Sequence, residues 1–434
     1  MTHRPPASRT LKVDALARVE GEGAMHVEVR DGRLHDVQLR IYEPPRFFEA
    51  FLRGRRFTEP ADITARICGI CPVAYQMSAC AAVEDACGVT VDGPLRDLRR
   101  LLYCGEWIES HALHLYLLHA PDFLGYENAI ALAADHRDRV TAGLDLKKVG
   151  NEILEVVGGR AIHPVNVKIG GFYRVPTPTE LRPLAERLRT ALDTAIDTVA
   201  WVAGFEFPEV GHALELVALS HPTEYAVVGG RLRSTEGLDI ASHEFADRVV
   251  ESHVEHSTAL HAHLLERGEY LVGPMARFAL NADRLGPEAA AAAAAAGLDP
   301  SERNPFRSIV VRAVELVQAC SEALRIIEGY ERPDRPAVEV TPRAGVGTGW
   351  TEAPRGTLWH RYELDDDGTI LDATIVPPTS QNQPAIEHDL FHFVEGNLHL
   401  DDDELRRRSE QVIRNYDPCI SCATHFLDLT VDRS

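Results

Sequence analysis

The 434-residue sequence predicts a mainly α protein with small β-sheets near both ends of the chain. Three observations carry this reading. Apolar residues recur at helical spacing through most of the middle of the chain. Close to the start, MHVEVR and RLHDVQLRI flank Asp31-Gly32, and late in the chain WHRYEL and TILDATIV flank Asp365 to Gly368. A tight two-residue turn favours residues that accept positive φ, so the first pair reads as a hairpin and the second as its longer-looped counterpart. Hydrophobic residues at 45% and charged residues at 26% are ordinary globular values, sufficient for a full core. No internal repeat or linker divides the chain, so residues 1–425 read as one integrated domain and 426–434 as a C-terminal tail.

The helices follow in order. Leu98 to Leu118 carries apolar residues at helical spacing with Gly105 as its only breaker. For Thr179 to Ala203, Thr177 and Glu180 make a capping box, and Pro178 takes the first helical position, where its missing N–H does no harm. Pro287 and Gly297 bracket an alanine run that reads as an exposed or loosely packed helix. Asp402 to Ile413 is acidic first and arginine-rich later, as the helix dipole prefers, and Asp417-Pro418-Cys419 comes directly after it.

Acidic residues outnumber basic ones 66 to 45, giving a net charge of -21. Such a surface repels phosphate backbones and anionic lipid, which argues against nucleic acid or membrane insertion. No apolar stretch approaches membrane-spanning length, and MTHRPPASRTLKVD lacks a signal-peptide core, so a cytoplasmic location is expected.

Four of the eight cysteines fall into two C-x-x-C pairs, Cys68/Cys71 and Cys419/Cys422, almost at opposite ends of the chain. Two intervening residues let both sulfurs of a pair turn toward one point, and two pairs give a four-thiolate set suited to zinc, iron or nickel. A structural zinc site is the simplest reading of cysteine count alone. Against it, zinc pairs usually staple a short local fold, whereas here nearly the whole protein intervenes. The singletons Cys80, Cys87, Cys104 and Cys320 read as small buried hydrophobes.

The residues around the pairs carry a resemblance. RICGICP (Arg66 to Pro72) and DPCISCATH (Asp417 to His425) resemble the first and last signatures of the large subunit of nickel–iron hydrogenases. RVEGEG (Arg18 to Gly23), RFFEAFLRGR from Arg46, GGRAIHP with IGG (Gly158 to Gly171), EAPRG (Glu352 to Gly356) and VPPTSQN (Val376 to Asn382) are similar to further motifs of that family, in its order. CGICPVAYQ resembles the cytoplasmic, bidirectional, NAD(P)-linked subgroup.

The resemblance implies the nickel–iron hydrogenase large-subunit fold, with the N- and C-terminal ends meeting at the metal site. It implies Cys68 and Cys419 as terminal nickel ligands, and Cys71 and Cys422 as thiolates bridging nickel to an iron that carries carbon monoxide and cyanide. Heterolytic cleavage of H2 needs a Lewis-acid metal and a nearby base. Cys419 is the matching base, and Glu20 the next proton acceptor. Arg355 matches a guanidinium over the open metal face, oriented by Asp417. Thr379 or Ser380 matches a hydrogen-bond donor to a cyanide. Glu49 and His425, with a main-chain carbonyl near Thr374, match ligands of a second metal, Mg2+ or Fe2+. In two places the sequence departs from the family: Ser110 stands where an aspartate often precedes the histidine matching His111, and Tyr75 stands where histidine is frequent.

The family further implies maturation proteins, an endopeptidase that cuts after His425, an iron–sulfur small subunit, and another that binds flavin and NAD(P). The chain itself has no further cysteine cluster and no convincing dinucleotide-binding loop. A hydrogen sensor and the related quinone-reductase subunit are rival readings; the second loses the cysteines that this chain keeps.

Overall fold

The first hairpin forms where its turn chemistry requires it. Strands Gly23–Arg30 and Arg33–Ile41 pair antiparallel through Asp31 and Gly32, at φ 50° and 75°, and Arg9–Val13 adds the third strand. Alternation puts Met25, Val27 and Val29 inside. The computed structural model describes residues 8–44, 47–211, 214–225 and 227–424.

The late hairpin forms between Gly356–Leu364 and Ile370–Val376. A strand that the sequence pattern did not reveal, Gly345–Ala353, pairs along the whole of Gly356–Leu364. Sheets also occupy the middle of the chain. A four-stranded sheet runs in the order Tyr270–Leu271, Glu215–Ser220, Arg231–Ser234, Asp239–Ile240, and a two-stranded ribbon joins Val249–Val254 to Ser257–Leu264. Glu215–Ser220 is a short, almost fully buried run, and periodicity alone does not separate such a run from a buried helix segment.

Helix Gly93–Leu113 starts earlier than the spacing suggested and continues into a π-helical turn, His114–His119. Gly105 does not break it. Helix Arg137–Gly158 crosses there, and a Cβ on its Gly150 would lie 2.6 Å from the Gly105 carbonyl oxygen, so the two backbones meet without side chains between them. Helix Pro178–Ala203 begins with the expected capping box: the Glu180 N–H donates to Thr177 Oγ1 at 3.3 Å and the Thr177 N–H to Glu180 Oε2 at 2.7 Å. The alanine run forms helix Pro287–Ala295, exposed on one side as expected and packed on the other. Ala289, Ala292 and Ala293 are buried in the core it shares with helix Ser308–Glu328. Helix Asp402–Asn415 is capped by Asp401, which accepts from the Glu404 N–H at 2.9 Å.

One contact sets the frame of the site. Helix Pro72–Cys87 lies directly on strand Gly345–Ala353, and a Cβ at Gly347 would be 2.1 Å from the Ala82 carbonyl oxygen. The helix begins at Cys71 and the strand ends beside Arg355, so this close approach fixes both ends relative to each other. Ser78 Oγ and Thr351 Oγ1 join the two elements at 2.7 Å. No helix among the described residues is long and apolar enough to cross a membrane.

Candidate metal centre

The two cysteine pairs converge. Cys68 Sγ lies 3.5 Å from Cys419 Sγ and Cys71 Sγ 3.6 Å from Cys422 Sγ, each pair separated by 351 residues in sequence. All four are buried, and their sulfurs lie within 4.8 Å of one another. Local structure aims them. Cys71 caps helix Pro72–Cys87, with proline at the first helical position, and Cys419 caps the short helix Ile420–Ala423. The N–H groups of Ile70 and Cys71 point at Cys68 Sγ, at 3.3 and 3.4 Å. The remaining cysteines, Cys80, Cys87, Cys104 and Cys320, are unpaired and buried, as small hydrophobes are.

The N-terminal segment is stitched onto the second pair. The Ile420 N–H donates to the Glu20 carbonyl at 3.0 Å. The Glu20 carboxylate accepts from the Ser421 N–H and from Cys419 Sγ, each at 3.1 Å. Burial, then the negative charge at Cys68, raises the Glu20 pKa above the usual carboxylate range.

Arg355 and Asp417 form a buried pair beside the sulfurs. Arg355 Nε donates to the Asp417 carbonyl at 2.6 Å and Nη2 to its Oδ1 at 3.0 Å. Burial works against the guanidinium charge, but Asp417 and the cysteine sulfurs beside it hold it firmly charged. Asp417 has a φ of 50°, a conformation unusual for a residue with a side chain, and Arg355 grips both its carbonyl and its carboxylate. Arg355 Nη1 and Asp417 Oδ2 are buried and have no partner.

Thr379 reaches the site and Ser380 does not. Thr379 Oγ1 accepts from the Cys419 N–H at 3.0 Å, whereas the Ser380 hydroxyl faces the Pro377 carbonyl at 2.9 Å and Glu251 at 3.1 Å. Glu49 accepts from the Ile375 N–H at 2.7 Å, one residue beyond Thr374. It borders a 30 Å³ cavity shared with Tyr75, Cys422 and Thr424, large enough for a water or a small ion. His425 and the tail lie outside the described residues. Tyr75 is buried with its ring 5.8 Å from that of His360, and Ser110 Oγ is buried without a partner.

Sequence reasoning missed the group that holds Arg355 in place. Arg277, wholly buried, forms a fork on Glu315 (Nε–Oε1 and Nη2–Oε2, both 2.7 Å) and pairs with Glu352 through Nη1 at 3.0 Å. It also donates to the carbonyls of Ala353 and Pro354, each at 2.9 Å, and lies 4.5 Å over the Trp107 ring. Glu315 in turn contacts His111 Nε2 at 3.0 Å and accepts from the Tyr225 hydroxyl at 2.8 Å. Glu352 sits in the EAPRG motif. No local signature marks Arg277 or Glu315, which come from two other helices. Glu106 does similar work at the first cysteine pair, accepting from the N–H groups of Val73 at 2.6 Å and Ala74 at 3.1 Å.

These residues fit a sulfur-bound metal centre. The thiols approach closely yet form no disulfide. Hydrogen bonds from Cys419, Cys422 and Cys71 pull the Cys68 pKa well down, while burial and the neighbouring sulfurs push that of Cys419 well up. A buried set that accommodates one thiolate and resists the next is completed by cation charge. Sulfur donors select nickel, iron or zinc over hard cations. The unsatisfied Arg355 Nη1 supplies a donor for a further acceptor beside those sulfurs.

Comparison with known proteins agrees with this geometry. The profile of the nickel-dependent hydrogenases matches residues 46–144 and 312–425. The alpha subunits of sulfhydrogenases 1 and 2 of Pyrococcus furiosus are 34% and 33% identical to this chain, over 96% of it and over 98% and 100% of their own lengths. One chain of an F420-non-reducing hydrogenase of Methanothermobacter marburgensis is 30% identical over 96% of this chain and 95% of its own. A crystal structure of an NAD+-reducing NiFe-hydrogenase in the H2-reduced state superposes with a TM-score of 0.87 at 27% identity, covering 97% of this chain and 100% of that one. The Ni-Fe-Se hydrogenase from D. vulgaris Hildenborough shares the fold, with a TM-score of 0.79 at 22% identity over 96% of this chain and 100% of its own. With its ends joined at a four-cysteine centre and its length matched almost throughout, the chain belongs to the nickel-dependent hydrogenases, as a large subunit.

Proposed function

We propose that this chain is the catalytic large subunit of a nickel–iron hydrogenase that cleaves H2 reversibly. In the proposed complex, electrons leave through an iron–sulfur small subunit, then reach NAD(P) through a flavin-bearing one. The carrying observation is the convergence of four unoxidised buried thiols from opposite ends of the chain. Cys68 and Cys419 are proposed as terminal nickel ligands, and Cys71 and Cys422 as the bridges to an iron bearing carbon monoxide and cyanide. When bound, the metal pair supplies the Lewis acidity and the redox couple that heterolytic cleavage of H2 needs.

The chain's own residues then have distinct tasks. Cys419 Sγ takes the proton and passes it to Glu20 Oε2, which lies 3.1 Å away. Burial favours a protonated Glu20, so the carboxyl can hold that proton before releasing it outward. Arg355 keeps its charge, and its unpartnered Nη1 is the donor proposed for one cyanide, with Asp417 fixing the guanidinium plane. Thr379 is favoured over Ser380 for the other cyanide, because the Ser380 hydroxyl already faces Pro377 and Glu251. Glu49, His425 and the Thr374 carbonyl are proposed to hold magnesium, an oxygen-rich set suited to a hard cation. Release of residues 426–434 during maturation belongs to the same proposal, and intact mass of the metal-loaded subunit reads it out. Likeness to the NAD+-reducing enzyme supports the NAD(P)-linked assignment, and a cytoplasmic location is proposed with it.

Infrared spectroscopy of the assembled complex, with nickel analysis, tests the proposal. Bands from metal-bound carbon monoxide and cyanide, lost in Cys71→Ser and Cys422→Ser, are expected. Zinc without nickel, or no such bands, overturns it.

A further inference from the structure

A second cluster lies apart from the four sulfurs. His256 precedes strand Ser257–Leu264, His261 lies within it, and Glu387 faces them from helix Pro378–Gly396. One ligand atom from each falls within 4.8 Å of the others. His256 Nε2 and Glu387 Oε1 are 2.7 Å apart. His261 is only 4% exposed, yet its Nε2 has no hydrogen-bond partner. A buried ring nitrogen left unpaired costs free energy that a bound ligand would recover.

We infer that His256, His261 and Glu387 bind one divalent cation of the zinc class. Two imidazoles and a carboxylate are a donor set for borderline metals, and three protein ligands leave a position for water. With bonds of about 2.1 Å, tetrahedral ligands stand about 3.4 Å apart, so small side-chain rotations bring the three atoms into place. The Leu39 N–H already orients Glu387 Oε1, at 2.8 Å. The His256 and Glu387 side chains are 21% and 17% exposed, which leaves the ion a way in from solvent. Binding replaces the His256–Glu387 hydrogen bond: the proton moves to the other ring nitrogen of His256, and no net proton is lost from a neutral imidazole. None of the three residues belongs to the sulfur centre or to the Glu49 cavity. The ion would clamp the ribbon, the N-terminal sheet and the helix carrying Thr379. Ala259 of the same ribbon pairs with Thr424, so the clamp seats the C-terminal segment.

The test uses the assembled complex, washed with EDTA and then titrated with zinc alone. One zinc per chain is expected, and X-ray absorption at the zinc edge should show only nitrogen and oxygen neighbours with scattering from two imidazoles. His261→Gln and Glu387→Gln should each weaken binding at least about tenfold, the latter while keeping an acceptor for Leu39. Absence of stoichiometric zinc, sulfur among its neighbours, or unaltered affinity in both the His261→Gln and the Glu387→Gln proteins overturns the inference.

Discussion

Replacing Arg277 with methionine isolates the support behind Arg355. The substitution deletes the fork on Glu315, the contact with Glu352 and the grip on the carbonyls of Ala353 and Pro354. Two carboxylates then remain buried without their cation. Removing one partner of a buried ion pair costs about 3–5 kcal/mol, much of it from the stranded charge. With an unfolding entropy of about 2.1 cal/mol/K per residue, a chain of 434 residues loses about 3–5 °C of midpoint for that cost. Turnover should fall on the order of tenfold or more, because Arg355 follows directly after the two released carbonyls and small displacements of a positioned group are costly. Thermal unfolding of the full chain, with H2-dependent dye reduction by the complex, measures both effects. The triple variant Arg277→Met with Glu315→Gln and Glu352→Gln removes the stranded charges and should recover most of the midpoint without recovering turnover. A single Arg277→Met protein that unfolds within about 1 °C of the parent, a shift well below that expected for a stranded buried charge, would refute the reasoning. So would a triple variant no more stable than the single.

The other expectations concern packing, pH and proton transfer. Gly150→Ala drives a methyl into the Gly105 carbonyl and should cost about 1–3 kcal/mol by denaturant unfolding, whereas Gly396→Ala, with open space around it, should change stability by less than about 0.5 kcal/mol. Burial presses the His360 pKa down to about 3, so the unfolded chain binds that proton first and the fold loses stability as pH falls from about 6.5 toward 3. For Glu315, burial alone would raise the pKa, but the charges and hydrogen bonds of Arg277 and His111 together hold it at about 2; its contribution is complete above pH 4.5 and drains away only below it. At pH 5 His360→Asn should therefore reduce the slope of stability against pH by about 1.4 kcal/mol per unit, and an unaltered slope there contradicts the assignment. Glu20→Gln keeps an acceptor for the Ser421 N–H but cannot relay a proton. Turnover should drop by about 10²–10⁴, with nickel content unchanged; full activity would remove Glu20 from the relay.

The sulfur centre was legible because each C-x-x-C is a local signal whose chemistry needs no tertiary context, and Glu20, Arg355 and Asp417 sit in short motifs beside it. Capping chemistry placed helix Pro178–Ala203 for the same reason. The Arg277–Glu315–Glu352 group was not legible, since each member is one charged residue on a separate element and only folding brings them together. Strand Gly345–Ala353 escaped notice because glycine ordinarily signals a turn; here its glycines let a helix lie on the strand. The choice between Thr379 and Ser380 rested on which hydroxyl the helix turns toward Cys419, a matter of rotation that spacing does not encode.

Glu20 pairs with Cys419, near the far end of the polypeptide. A chain that stops short of Cys419 carries only Cys68 and Cys71, half of the donor set. Two thiols hold a metal more weakly than four, so such a copy would retain it poorly. Metal retention would therefore report that the segments carrying Cys68/Cys71 and Cys419/Cys422 have come together in the fold.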